Sequence, residues 1–106
     1  MMTDLELLYK INEGLDNRFQ GGKDPFKIIT RLVEECGELA KEVNHFEKQG
    51  VKSEKHGVPD KKHLAKEIQD VLRCALQVAS YYEVEEVLRQ TIEEDYEQIK
   101  SEGWIS

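Results

Sequence analysis

Hydrophobic positions recur at intervals of three and four residues along most of the chain, and this spacing predicts four α-helices. We expect the first helix over about residues 3–17 and the second from Pro25 to about residue 49. The third is expected over about residues 61–82 and the fourth over about residues 84–101. No segment alternates apolar and polar residues over a useful length, so the pattern predicts an all-α fold without β-strands.

Residues that favour helix ends stand at the predicted boundaries. Asp24 precedes Pro25, which combines a capping carboxylate with a proline that fits the first helical turn. Asp60 is placed to cap the third helix, and Gly103 follows the fourth. Residues 50–60, GVKSEKHGVPD, are polar and contain two glycines and a proline, so they are predicted to connect helices 2 and 3.

Two carboxylate pairs with the same spacing occur on the two central helices. Glu35 and Glu38 belong to the second helix, and Glu67 and Asp70 belong to the third. At about 100° per residue, each pair lies along the matching edge of its helix's apolar stripe. Sequential helices usually pack against each other. Antiparallel packing through these stripes therefore predicts that the four carboxylates meet at one seam.

Four ionised carboxylates at one seam require compensation. Two of them ~5 Å apart repel by about 3 kcal/mol at an effective dielectric of about 20, so a bound cation or retained protons are expected. Oxygen ligands favour Mg²⁺, with Mn²⁺ as a second possibility. The alternative is a solvated acidic surface, since the chain holds 22 Asp and Glu residues. Repetition of the pair in phase on two helices favours the metal site.

Length and composition set further limits on the class of protein. A chain of 106 residues is enough for one domain, taken as residues 1–106. Only 39% of the residues are hydrophobic, which favours association with copies of itself because a thin core gains from association. The net charge of −7 argues against binding to nucleic acid or to an anionic membrane. Trp104 is expected to pack against helix 4 or a second subunit.

The N-terminus and the cysteines bear on the compartment. No apolar run reaches the ~20 residues of a membrane span, and the start of the chain lacks the pattern of a signal peptide. Cys36 and Cys74 lie inside predicted helices without a second cysteine nearby, so reduced thiols at the core edge are expected. These features together predict a cytoplasmic protein.

The acidic pairs and their neighbours carry a resemblance to a known family. The segments EECGELA at 34–40 and EIQDV at 67–71 resemble the EExxE…ExxD signature of the all-α NTP pyrophosphohydrolases, the MazG-like group. The similarity covers roughly residues 19–80. It implies an α-helical fold, dimers or dimers of dimers, and Mg²⁺-dependent hydrolysis of a nucleoside triphosphate to the monophosphate and pyrophosphate.

The resemblance also implies roles for individual residues. Glu35, Glu38, Glu67 and Asp70 match the metal-binding acids of the family. The implied reaction is attack of water on the α-phosphorus, with Glu38 as the general base and Glu35 as the second catalytic carboxylate. Glu34, the first acid of the signature, points about 100° away from Glu35 and is given a supporting role or none.

Candidate substrate contacts lie outside the signature. Phe19 could stack on a nucleotide base, although anchoring of helix 1 is an equally good reading. Arg89 and Lys100 on the fourth helix are possible phosphate contacts, but exposed cations are usually only solvated. His45 is expected either to border the pocket or to be exposed.

Two other classes of protein remain open. One is a non-enzymatic helical interaction module whose acids bind a basic partner. The other is a di-iron protein, for which Glu42–His45 supplies one ExxH step; the only second candidate, Asp60–His63, uses an aspartate already assigned as a cap. The sequence contains no GxxxxGK[ST] loop and no Ser/His/Asp grouping, which argues against a P-loop NTPase and against nucleophilic catalysis.

Overall fold

The computed structural model describes residues 1–47 and 57–106, and all regular structure within these ranges is helical. The helices are α1 (Asp4–Arg18), α2 (Pro25–Phe46), α3 (Lys61–Tyr81) and α4 (Glu85–Ser101). The predicted all-α fold with four main helices is therefore confirmed for the described residues.

The predicted helix bounds agree with the structure closely, with one exception. Both ends of α1, the end of α3 and the start of α4 differ from the prediction by one residue. The exception is α2, which ends at Phe46 with a turn at Glu47 rather than near residue 49. Residues 48–56, which include most of the predicted connector, lie outside the described residues.

Side-chain caps fix where three of the helices begin. The Oδ1 of Asp24 accepts a hydrogen bond from the backbone N–H of Phe26 at 2.9 Å, and Asp60 caps Lys62 in the same way at 2.9 Å. In α1, the backbone N–H of Thr3 donates to Glu6 and the Thr3 hydroxyl accepts from the backbone of Glu6, which is a capping box. The two predicted aspartate caps are confirmed.

The central unit is the antiparallel pair α2 and α3, whose contact is the most extensive among the described helices. Their direction follows from two side-chain contacts: Arg31 near the start of α2 meets Gln77 near the end of α3. Glu42 near the end of α2 meets His63 near the start of α3. Helix α1 packs against α3, and α4 contacts α3 close to their connecting turn.

The core of the single chain is small and partly polar. Its buried apolar side chains are Leu8, Ile28, Cys74, Leu76 and Ala79. Within residues 1–47 and 57–106, the buried polar residues are Asn12, Glu42, His45, Glu67 and Gln77. Both cysteines are free, with Cys36 exposed and Cys74 fully buried.

The apolar stripe of α2 is turned away from α3, which corrects the predicted packing. Ile29, Val33 and Val43 are 48%, 65% and 48% exposed, whereas Glu42 is fully buried in the seam. On α3, Ile68 and Leu72 are likewise 43% and 48% exposed. The two helices therefore meet through the acidic edge of their stripes, and a large apolar surface remains uncovered in the single chain.

Helix α4 has no buried residue, although it carries apolar side chains along its length. Val87, Ile92, Tyr96 and Ile99 are each more than 40% exposed, and Trp104 beyond the helix is 78% exposed. Packing of Trp104 against its own α4 is therefore not observed, which leaves contact with a second subunit as the remaining expectation. Among the described residues, no helix has the length and hydropathy needed to cross a membrane.

Candidate metal centre

Three of the four predicted ligand acids meet at the seam between α2 and α3. One carboxylate oxygen from each of Glu35, Glu67 and Asp70 can be chosen so that all three lie within 4.8 Å of one another. The antiparallel pairing produces this convergence, because it places Glu35 of α2 opposite the i, i+3 pair of α3. The resulting cluster offers only oxygen ligands, which suits a hard divalent cation.

The electrostatics of Glu35 show that the cluster carries excess negative charge. Its pKa lies above the ordinary value, first because burial disfavours the charged carboxylate and then because Asp70 and Glu67 repel it. Arg73 lowers the pKa and offsets part of this effect, while Glu38 adds to the increase. A divalent cation would supply the missing positive charge, so the residues present fit such an ion.

Glu38, the fourth predicted ligand, lies at the rim of this cluster. Its Oε1 is 3.4 Å from Nζ of Lys41, and its side chain is 48% exposed. Its charge contributes to the raised pKa of Glu35, so it remains electrostatically part of the site. The structure thus gathers three acids and leaves the fourth one helical turn away, in contact with solvent.

Basic side chains contact the acids of α3, and the sequence analysis did not assign them to the site. Nζ of Lys66 lies 2.9 Å from Oδ1 of Asp70, and Nε of Arg73 lies 3.8 Å from the same oxygen. Nε2 of His63 is 3.2 Å from Oε1 of Glu67. Their spacing from the acids, three or four residues along α3, is the signal that could have found them.

A small cavity lies beside Arg73, the arginine that contacts Asp70 of the acidic cluster. Its volume is about 320 Å³, and its walls include Phe19, Arg31, Arg73, Asp16 and Gln77. Phe19, the predicted stacking residue, is therefore brought together with two guanidinium groups that the sequence analysis did not select. Because Arg73 also contacts Asp70, this cavity and the acidic cluster are connected through one side chain.

Partly buried hydrogen bonds hold the arginines of this cavity in place. Nη1 of Arg31 donates to Oε1 of Gln77 at 3.2 Å, and Nε2 of Gln77 donates to Asp16 at 3.2 Å. The amide of Asn12 donates to the backbone carbonyl of Arg73 at 2.9 Å. Since these partners come from α1, α2 and α3, the cavity walls depend on the packing of all three helices.

A larger cavity of about 1070 Å³ lies between α1, the end of α3 and the start of α4. Arg89 lines it, but none of the four predicted acids does. Because α4 is otherwise exposed, we interpret this space as a gap beside a loosely packed helix and not as the active site.

The remaining predicted substrate contacts lie in different environments. His45 is buried, and its Nε2 is hydrogen-bonded to the carbonyl of Gly57. Arg89 forms ion pairs within α4, at 3.5 Å to Glu86 and 2.9 Å to Glu93. Lys100 lies over the ring of Tyr96, also within α4, with Nζ 6.0 Å from the ring centroid.

The fold and the site define an all-helical protein with a carboxylate cluster suited to a divalent cation. The family model of the MazG nucleotide pyrophosphohydrolase domain matches residues 23–93, a range that contains all four predicted acids. The chain belongs to this family, which confirms the resemblance noted from the sequence. Members are metal-dependent in general. No curated protein and no solved structure is significantly similar to the chain.

Proposed function

We propose that the chain hydrolyses (deoxy)nucleoside triphosphates to the monophosphate and pyrophosphate, with Mg²⁺ as the cofactor and Mn²⁺ as a possible substitute. Membership of the MazG family supports nucleotide pyrophosphohydrolase activity in general. The observation that carries the metal assignment is the convergence of Glu35, Glu67 and Asp70. An anionic substrate can approach this acidic surface only where positive charge intervenes, and a bound divalent cation provides it.

The reaction needs little covalent chemistry from the protein. A water molecule attacks the α-phosphorus, the bond from the α-phosphorus to its bridging oxygen breaks, and pyrophosphate leaves. Glu35, Glu67 and Asp70 would hold a divalent ion, which would neutralise charge on the triphosphate and lower the pKa of water. Glu38, at the solvent-exposed rim, is the proposed general base that accepts the proton of the attacking water, with Glu35 beside it as the second catalytic carboxylate.

The adjoining cavity supports a position for the nucleotide. We assign base stacking to Phe19 and contacts with phosphate or sugar oxygens to Arg31 and Arg73, which line the same cavity. Phosphate contacts by Arg89 and Lys100 remain a prediction, and they require α4 of another subunit to approach the site. His45 is proposed to support the pocket through Gly57 rather than to contact substrate directly.

We propose that two or four copies associate, because apolar surface is left uncovered on two parts of the chain. One surface is formed by Ile29, Val33 and Val43 of α2 with Ile68 and Leu72 of α3. The other lies along α4, whose 17 residues bury no side chain. An isolated helix of that length is marginally stable in water, so α4 is expected to gain its stability from a second subunit.

A cytoplasmic location is part of the same proposal. It is supported by the two free cysteines, Cys36 and Cys74. Nucleoside triphosphates, the proposed substrates, are also found in that compartment.

The decisive experiment is a panel of common NTPs and dNTPs with Mg²⁺ in water enriched in ¹⁸O. The proposed attack places the label in the monophosphate, which mass spectrometry detects together with unlabelled pyrophosphate. Label in pyrophosphate would mean attack at the β-phosphorus, and release of orthophosphate with a diphosphate would mean cleavage of the wrong bond. Absence of turnover together with absence of stabilisation by Mg²⁺ would favour the acidic interaction module instead.

A further inference from the structure

His63 lies between two glutamates that belong to different helices. Its Nδ1 is 2.9 Å from Oε1 of Glu42 on α2, and its Nε2 is 3.2 Å from Oε1 of Glu67 on α3. Glu42 is fully buried, and the Glu67 side chain is 11% exposed, whereas that of His63 is 48% exposed. The imidazole therefore closes the outer side of the α2–α3 seam, with both ring nitrogens next to carboxylate oxygens.

The buried Glu42 restrains the position of the His63 imidazole. A fully buried side chain in the seam has little freedom to change rotamer, so its carboxylate marks one position for Nδ1. Because the imidazole ring is rigid, fixing Nδ1 also limits where Nε2 can lie. The oxygen of Glu67 that meets Nε2 is thereby restrained relative to α2, although Glu67 itself belongs to α3.

Glu67 is also one of the three acids that converge at the candidate metal centre. A carboxylate on a helix can rotate about its side-chain bonds, and each alternative orientation that it visits lowers its affinity for a metal. Groups that contact a metal-binding carboxylate from outside restrict this rotation, and their loss typically weakens metal binding by about 10–100-fold.

We propose that His63 is a positioning residue that aligns Glu67 for a divalent cation, using the buried Glu42 as its anchor. The inference rests on the proposed metal site and adds to it a residue outside the family signature. His63 itself does not contact the ion or the nucleotide in this arrangement. It links the metal centre to the helix seam.

The direction of the change in metal affinity when His63 is removed distinguishes a positioning role from a purely electrostatic one. A basic group beside a cation site repels the cation, so removing such a group strengthens metal binding or leaves it unchanged when charge is its only influence. Lys66 offers the matched case, because it contacts Asp70 at 2.9 Å over the same i, i+4 step but is an exposed, flexible side chain. Removal of His63 is expected to weaken metal binding, whereas removal of Lys66 is not.

Mn²⁺ binding to the metal-free full chain, without nucleotide, tests the inference by electron paramagnetic resonance. We expect the Kd of His63→Ala to rise at least about tenfold over wild type, within the range typical of such contacts. His63→Gln, whose amide can reach Glu67, should recover part of the affinity, and His63→Asn, which is too short, should not. Lys66→Ala should bind Mn²⁺ as tightly as wild type or more tightly.

Circular dichroism and the mass in solution verify that each variant is folded. If His63→Ala fails to fold, the test is the difference in Mn²⁺ affinity between His63→Gln and His63→Asn. Equal or tighter Mn²⁺ binding by folded His63→Ala and His63→Asn overturns the positioning role and leaves the proposed function intact. Failure of the wild-type chain to bind Mn²⁺ or Mg²⁺ overturns the proposed metal site, and the role of His63 with it.

Discussion

Glu35 on α2 and Asp70 on α3 oppose each other electrostatically across the helix seam. After burial, the negative charge of Asp70 has the largest effect in raising the pKa of Glu35. Each carboxylate comes from a different helix, so the fold holds the two charges together even though they repel each other. The repulsion destabilises the metal-free protein, and a bound cation would relieve it.

Asp70→Asn should abolish activation by Mg²⁺ while leaving the metal-free protein at least as stable as wild type. The substitution removes a ligand and also a charge that repels Glu35, so the two effects have opposite signs. The amide oxygen that replaces the carboxylate can still accept from Lys66 and Arg73, and the ion pair with the exposed Lys66 contributes little to stability. We expect turnover to fall by about 100-fold or more, as loss of a group needed for transition-state charge stabilisation commonly does. Thermal unfolding with EDTA and with Mg²⁺ measures both effects, since stabilisation by the ion requires binding to the folded state.

Asp95→Asn is the matched control for Asp70→Asn, because Asp95 is an exposed acid on α4. It should keep both turnover and the increase in melting temperature with Mg²⁺. A large decrease in the melting temperature of Asp70→Asn in EDTA would show instead that Asp70 mainly supports the fold.

The stability of the metal-free protein should decrease as pH rises through the titration of Glu35. The folded-state pKa of Glu35 is raised above the unfolded value near 4.5, so the folded protein binds more protons between those two values. The stabilisation from protonated Glu35 is therefore complete below the unfolded pKa and is lost as pH rises through the folded one. Urea unfolding in EDTA at a series of pH values from 4.5 upward measures this loss.

Glu35→Gln supplies the reference for that titration. The difference in unfolding free energy between wild type and Glu35→Gln should become less favourable to wild type as pH rises across the same window. A pH-independent difference would show that Glu35 has the same pKa in the folded and unfolded states. With Mg²⁺ present the trend should reverse, because the ion binds the deprotonated carboxylate.

Phe19→Ala should weaken substrate binding without changing metal affinity. Stacking of a base on an aromatic ring contributes about 1–3 kcal/mol, so we expect KM to rise by about tenfold while kcat changes little. Steady-state kinetics at saturating Mg²⁺, with Mn²⁺ binding measured separately, give the two quantities. Phe19→Trp keeps a stacking surface and should retain a KM near that of wild type. An unchanged KM in Phe19→Ala would indicate that Phe19 does not stack on the base and instead anchors helix α1.

Local features of the fold were predictable because their causes lie within a few residues. Asp24 and Asp60 each cap the backbone N–H of the residue two positions later, so a local sequence signal marks the starts of α2 and α3. The spacing also indicated that Glu35, Glu67 and Asp70 lie along one edge of their helices. Their convergence arises from packing through that acidic edge, however, and not through the apolar stripes from which it was predicted.

The features that were missed depend on contacts between distant parts of the chain. The local spacing around Arg73 does not predict its position, because its carbonyl accepts a hydrogen bond from Asn12, which lies 61 residues earlier. Glu42 lies about 20° from Glu35 on the helical wheel, but its full burial depends on how α2 is rotated about its axis. That rotation could not be deduced, since apolar spacing does not distinguish a face that packs within the chain from one that packs between copies.

Val33→Asp should separate the subunits, because Val33 is among the most exposed residues of the apolar surface on α2 and α3. A stable dimer buries about 1,200–2,000 Å² of total surface, and a carboxylate placed within such a contact lacks a partner and must be dehydrated. We expect light scattering coupled to size-exclusion chromatography to show an oligomer for wild type and a smaller species for Val33→Asp. Glu34→Gln changes an exposed neighbour on a different face of α2 and should keep the wild-type mass. A monomeric wild-type chain would contradict the proposed oligomer, although the acidic cluster would still be formed within one protomer. Unchanged turnover in a monomeric Val33→Asp variant would show that the reaction does not need a second subunit.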